Sequence, residues 1–271
     1  MRVSKTLFEP GLPYWQDYLP FLQHLTGRGF PTCDQLNALL PDNLKSESGQ
    51  SIRFVPSTEL DDGAYEYRIY TTGQISTRPD NWHDLFNALV WMRFPRIKIT
   101  MNRLHFHALS QQVAGSRGSL RDALTLFDEC GVIVFSDDLD KLNSLAGRRW
   151  TRAFRTDTFG NGMSLVISGH AMLEKYLSPY KSMTAKALLV HLDKDIREAS
   201  REELLTYLDK VIAEHLLAGN LLTEPACLAP LPLAGVPGWW PNGQQDDDFY
   251  ADPQVFRPAP AELVAAPVFS L

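Results

Sequence analysis

Apolar positions recur at two different periods along this chain, and the changes between them mark out its elements. Residues 14–41 read as two short helical pieces broken at Gly27–Pro31. A β-hairpin is expected next, with Ser51–Val55 pairing to Ala64–Thr71 across a Pro/Asp/Gly loop. There Tyr65, Tyr67 and Ile69 alternate with Glu66, Arg68 and Tyr70 at the period of two that a two-faced strand requires. The period then lengthens into a helical hairpin over residues 80–109. Asp80 or Asn81 caps a first helix whose Trp82, Leu85, Phe86 and Leu89 form an apolar stripe. Pro95 ends it and opens a second, carrying Ile97, Met101, Leu104 and Ala108.

Beyond a loop at Gly115–Gly118, strands and helices alternate. Ser119 with Asp122 forms an expected capping box for a helix running to Glu129 and stopped by Gly131, ahead of a buried strand Val132–Phe135. Ser136 or Asp137 caps a helix to Leu145. A strand Ser164–Ile167 runs through Gly169 into a helix ending at Leu177, and a third strand covers Ala187–Leu192. Ser200 and Glu203 cap a long amphipathic helix with Leu204, Leu208, Val211, Ile212 and His215 on one side, closed at Gly219–Asn220. The pattern predicts an α/β (or α+β) fold: a central sheet of short strands with packed helices, plus an N-terminal β-hairpin and a helical hairpin. Residues 1–271 read as one domain, with an irregular Pro-rich C-terminal segment from 223 in which Trp239 and Trp240 anchor the tail.

Composition adds limits. With 44% hydrophobic and 21% charged residues among 271, the chain has the balance of an ordinary globular protein. Its formal net charge of −6 makes broad nucleic-acid binding an unexpected role. Cys33, Cys130 and Cys227 are far apart and form no metal or disulfide pattern, which suits a cytoplasmic setting. The N-terminus reads as no signal peptide, and the most apolar stretch, near Leu228–Trp240, is broken by three prolines. No membrane association is therefore expected.

The chemistry-bearing residues cluster. His83, Asp84 and Asn87 share one side of the first hairpin helix, and Lys98, Asn102 and His105 form a polar stripe on the second. Facing helices with these side chains suit a metal, or a general base with anion-binding groups, or helix-to-helix hydrogen bonds alone. Asp128 and Glu129 stand at a helix C-terminus that is already partly negative, so they need a compensating charge. A divalent metal would supply it; so would a salt bridge to Arg121 or another exposed base. Ser168–Gly169–His170 is a strand-to-helix turn of the kind that binds anions through free N–H groups, and Glu174 lies one turn beyond His170. Arg148, Arg149, Arg152 and Arg155 form a cluster suited to phosphate or to a solvated face. Phosphate-loop, dinucleotide and His-Glu-x-x-His motifs are absent.

Four segments carry a resemblance: RPDNWHDLFNALVWMRFPRIK (78–98), RDALTLFDECGVIVFSDD (121–138), SGHAMLEKYLSPYKSMTAKALLV (168–190), and PGWWPN followed by FY and VFRP (237–258). In this order they resemble the bacterial family of domains of unknown function numbered three thousand and twenty-five. The resemblance implies a bacterial cytoplasmic single-domain protein and assigns no catalytic residue or cofactor.

Two functions are open at this point. One is a hydrolase or transferase acting on a small anionic or phosphorylated substrate. In it His83, Asp84, His170 and Glu174 carry the chemistry, and Asn87, Lys98, Asn102, His105, Gly169 and Arg149 bind the ligand. Asp128 or Glu129 would hold any metal. The other is a non-catalytic module using the same polar stripe to bind a ligand or a protein. Convergence of His83, His105, His170 and Asp128 in one pocket favours the first.

Overall fold

The computed structural model describes residues 11–25, 29–59, 65–110, 118–154, 159, 162–240 and 244–271. Gly27, the loop residues 115–117 and Arg155 lie outside them. After a 3-10 segment, Pro13–Tyr18, come α1 (Leu19–Leu25) and α2 (Cys33–Asn37).

The expected hairpin is not formed. Strand β1 (Arg53–Pro56) is followed by helix α3 (Tyr65–Thr72) and then by β2 (Gln74–Thr77), which pairs with β1 in parallel. Alternation of Tyr65, Tyr67 and Ile69 imitates a strand, yet Ile69 is buried and Tyr67 is 57% exposed. Tyr65 and Ile69 are also four residues apart, so the same residues fit a helix. Gly73, at φ 72°, ends the helix in the left-handed region and turns the chain into β2. Residues 60–64 of the expected loop fall outside the described part.

The helical hairpin is α4 (Trp82–Arg93) and α5 (Pro95–Ser110), with the Asn81 side chain accepting from the Asp84 N–H. From Asp84 to Arg93 every residue of α4 is buried, so it is a central helix and not an amphipathic surface one. Its polar residues must therefore find partners inside the protein.

Helix α6 (Ser119–Cys130) has Gly118 at its N-cap with no side-chain cap, so the expected Ser119–Asp122 box is not made. It runs directly into β3 (Gly131–Ser136), buried at all six positions. Asp138, and not Ser136 or Asp137, caps α7 (Leu139–Ala146), which is followed by α8 (Trp150–Ala153). The remaining elements are β4 (Met163–Ile167), α9 (His170–Lys175), β5 (Thr184–His191), α10 (Lys194–Arg197), α11 (Arg201–Leu217), β6 (Ala229–Pro232), α12 (Asp247–Tyr250) and β7 (Val268–Ser270).

The sheet is mixed. β3 lies between antiparallel β4 and parallel β5. On the far edge of β5, β6 pairs antiparallel to its first half and β7 parallel to its second. The unbroken apolar runs of β3 and β5 are those of strands covered on both faces. Trp239 is buried against Tyr14 and Tyr176, so the tail is anchored by its indole as expected. All three cysteines are free thiols.

Helix α11, with its Ser200–Glu203 capping box, fastens the helical hairpin at its elbow. Buried Arg93 donates to both Glu202 carboxylate oxygens at 2.8 and 2.7 Å. Asp209 accepts the Arg96 and Ile97 N–H groups at 3.1 and 2.9 Å, capping the first turn of α5 from another helix. Burial pushes the Asp209 carboxyl up to about 6, a rise the two N–H donors only partly offset.

The native state therefore holds this proton more tightly than the unfolded chain. The Asp209 contribution to stability is greatest below the ordinary aspartate pKa and is lost as pH rises through 6, by on the order of 3 kcal/mol in all. In Asp209→Asn that decline is absent. Urea unfolding at pH 4, 5, 6 and 7 should show the variant gaining on the wild type with each step, least in the last, as the decline ends about one unit above pH 6. A pH-independent difference would count against the shifted carboxyl.

Candidate functional site

A cavity of about 530 Å³ opens between the helical hairpin, α6 and α9. Its wall includes His83, Asp84 and Asn87 from α4, His105 from α5, Arg121, Thr125, Asp128 and Glu129 from α6, and His170 from α9. Groups scattered over nearly ninety positions of the sequence thus meet in one pocket, His83, His105, His170 and Asp128 among them.

The two histidines meet head-on. His83 Nε2 and His170 Nε2 are 3.0 Å apart, with the rings nearly perpendicular. The other nitrogen of each faces a carboxylate: His83 Nδ1 lies 3.0 Å from Glu174 Oε2, and His170 Nδ1 lies 3.6 Å from Asp128 Oδ2. Glu129 Oε2 is 3.6 Å from His170 Nε2. One ligand atom from each of His83, Glu129 and His170 fits within a 4.8 Å set. Ligands on a tetrahedral zinc ion sit roughly 3.3 Å from one another, close to the 3.0 and 3.6 Å separations of His170 Nε2 from His83 and Glu129.

Local structure explains the convergence. His83 is in the first turn of α4, behind its Asn81 cap. Glu129 is in the last turn of α6, and His170 is the first residue of α9. The Ser168 and Gly169 N–H groups both donate to the Gly131 carbonyl, at 3.0 and 2.8 Å, which locks the start of α9 against the end of α6. A Cβ on Gly169 would come within 2.4 Å of the Gly131 nitrogen and 2.6 Å of the Glu129 carbonyl oxygen. The expectation that Gly169 admits a ligand is therefore corrected: its missing side chain admits the protein backbone.

Charge is distributed unevenly. Burial pushes His170 down to about 4, with Lys98 and His83 adding to the effect and Asp128 opposing it, so the ring is neutral near pH 7. Burial by itself would raise Asp128, but Lys98 and His170 outweigh it and hold the carboxyl below its ordinary value. Glu129 is raised, chiefly by burial. Asp128 is compensated by Lys98, buried on the neighbouring helix at 2.5 Å.

The other expected residues divide. Asp84 lines the cavity but is engaged by Arg78, whose N–H, Nε and Nη2 reach it at 2.6, 3.0 and 2.7 Å. Asn87 donates to the Tyr65 hydroxyl and accepts from Lys98. Asn102 donates to Glu66, whose carboxyl burial raises. Lys98 and Asn102 do not line the main cavity; they lie behind it. Arg149 is elsewhere, its guanidinium 3.4 Å from the Ser144 hydroxyl.

Tyr65, Glu66, Arg78, Ser57 and Ser76 also line the cavity and went unrecognised in sequence. Reading 64–71 as a strand hid the first two. Arg78 had a faint signal, a basic residue three positions before an Asn helix cap and six before Asp84.

Residues 52–260 match the family described as "Protein of unknown function (DUF3025)". The chain belongs to this family. The match spans the helical hairpin, α6, α9 and every residue of the histidine pair and its carboxylates, so the candidate site of this DUF3025 protein lies wholly within the shared region. No curated protein and no solved structure matches the chain. Among the described residues no helix is long and apolar enough to cross a membrane.

Proposed function

We propose that this DUF3025 protein is a metal-dependent hydrolase of a small polar substrate, with His83 Nε2, His170 Nε2 and Glu129 as ligands to one divalent cation. The observation that carries the reading is the pair of Nε2 atoms at 3.0 Å, each ring having its Nδ1 turned to a carboxylate. A carboxylate beside Nδ1 favours the proton on that nitrogen and leaves a lone pair on Nε2. At 3.0 Å the two Nε2 atoms can share a proton, as an N–H···N hydrogen bond, or a cation. Glu129 beside them adds the negative charge that a divalent cation matches.

Two imidazoles and a carboxylate, with His83 and Glu129 side chains 34% and 40% exposed, leave room for water in the coordination sphere. Such a cation lowers the pKa of a bound water and polarises a carbonyl or phosphoryl oxygen. Glu174 and Asp128 orient the two rings. Arg121 and Arg78, the latter already held by Asp84, bring positive charge to the cavity wall.

The same ligand set serves iron(II) oxygenases, but the arginine, carboxylate and hydroxyl groups of this cavity favour hydrolysis of a polar molecule. The test is metal analysis and zinc calorimetry on the full chain, followed by assays on ester and phosphoester substrates with chelator and zinc re-addition. One equivalent of metal and chelator-sensitive hydrolysis are expected. A folded protein that binds no divalent metal would overturn the reading, as would turnover that requires iron(II) and oxygen.

A further inference from the structure

We infer that Tyr65 is a catalytic residue of this site: its hydroxyl donates a hydrogen bond to the substrate oxygen that gains negative charge, because Lys98 turns the Asn87 amide so that it donates to the phenol and leaves the phenol proton for the cavity. The inference deepens the hydrolase reading and rests on it for the reaction. The direction of the hydrogen bonds is a property of the protein alone.

Donor and acceptor bookkeeping fixes these directions. A lysine ammonium only donates, whereas an asparagine side chain accepts at its oxygen and donates at its nitrogen. The buried Lys98 ammonium lies 2.5 Å from Asp128 Oδ1 and 3.0 Å from Asn87 Oδ1. The amide oxygen therefore faces Lys98, and the amide nitrogen faces Tyr65, where it donates to the hydroxyl oxygen at 2.8 Å. A phenol that accepts there keeps its own proton for another partner. Among the described residues the Asn87 contact is the hydroxyl's one hydrogen bond, so that proton has no protein acceptor.

The hydroxyl also stands where a substrate can use it. Tyr65 opens α3 and lines the cavity, and Asn87 is one turn beyond His83 on the same face of α4, with Cβ atoms about 6 Å apart. Behind Tyr65 lies only a void of about 10 Å³, room for about one water molecule and too small for a substrate. Burial, reinforced by Glu66, raises the phenol well above its ordinary value, with the Asn87 hydrogen bond opposing, so it remains a donor at neutral pH.

When water adds to an ester carbonyl, a C–O bond forms and the C=O electron pair moves onto oxygen. When that pair returns, the bond to the leaving oxygen breaks, and the proton given up by the water ends on the leaving alcohol. Tyr65 keeps its own proton throughout. A donor already aimed at the charged oxygen stabilises it without reorganising.

The test compares Tyr65→Phe with wild type, both loaded with zinc, on para-nitrophenyl acetate and para-nitrophenyl phosphate. In the variant kcat should fall roughly 100–1,000-fold, the loss typical of one oxyanion donor, with KM and zinc affinity within about threefold of wild type. Asn87→Asp is the second variant. Its carboxylate accepts the phenol proton, so kcat should fall roughly tenfold or more although Tyr65 is intact. Neutron diffraction on metal-free crystals should place the Asn87 amide deuterons toward the phenol and the phenol deuteron on the cavity side. If wild type is active and Tyr65→Phe turns over within about threefold of it, the inference is overturned and the hydrolase reading stands. A phenol deuteron directed at Asn87 would have the same consequence. A wild type that binds zinc but hydrolyses neither ester overturns the hydrolase reading and the role of Tyr65 with it.

Discussion

His83→Ala is expected to weaken zinc binding by on the order of a thousandfold, well beyond the loss from any outer partner, while the protein melts within about 2 °C of wild type. The two halves of this expectation have separate causes. His83 supplies one of three ligand atoms, and a cation left with one imidazole and one carboxylate holds mostly water. Its ring, however, sits at the cavity mouth with about a third of its side-chain surface exposed, so truncation leaves no closed void in the core. A surface substitution of this kind usually changes stability by under ~0.5 kcal/mol. Calorimetry and thermal melting on the same sample check both halves. A large drop in melting temperature with zinc affinity intact would show a structural histidine and remove the basis of the metal centre.

Gly169→Ala is the second large effect, and it acts on folding first. The added methyl meets the Gly131 and Cys130 nitrogens at 2.4 and 2.7 Å and the Glu129 carbonyl oxygen at 2.6 Å, all of them backbone atoms. No side chain can rotate to relieve the clash, so α9 must move away from the end of α6. Overpacking against rigid neighbours costs about 3 kcal/mol or more, which for a chain of this size lowers the melting temperature by roughly 10 °C. The same displacement separates His170 from Glu129, so zinc affinity should fall with it. Circular dichroism melting and calorimetry are the measurements. A variant that melts like wild type would mean that the α6–α9 junction is not closed as described.

Local pattern was enough for most of the elements. The Asn81 and Ser200 caps, the Pro95 break, and the apolar runs of β3 and β5 are short-range signals, and each marks an element that forms. The failed β-hairpin has one cause. Residues 65–72 alternate like a strand but fold as a helix, because burial of Ile69 and docking against α5 outweigh a period read over eight residues. Short segments fit both periods, and tertiary contact decides between them.

The candidate site follows the same division. Sequence alone identified His83, His170, Glu174, Asp128 and Glu129 as chemically suggestive, because their residue types and local spacing are visible in a string of letters. It also determined the helix start beneath His83 and the strong demand for a positive partner at Asp128. Which groups would meet was settled only in three dimensions. Distances between α4, α6 and α9 depend on how their backbones pack, down to the close backbone contact at Gly169, where there is no room for a side chain. The assignment of Lys98 to Asp128, of Arg78 to Asp84 and of Asn102 to Glu66 likewise followed from packing. A chain declares its local conformational preferences and its chemistry residue by residue, but a site is a set of distances between segments far apart in that chain, and only the packed core sets those.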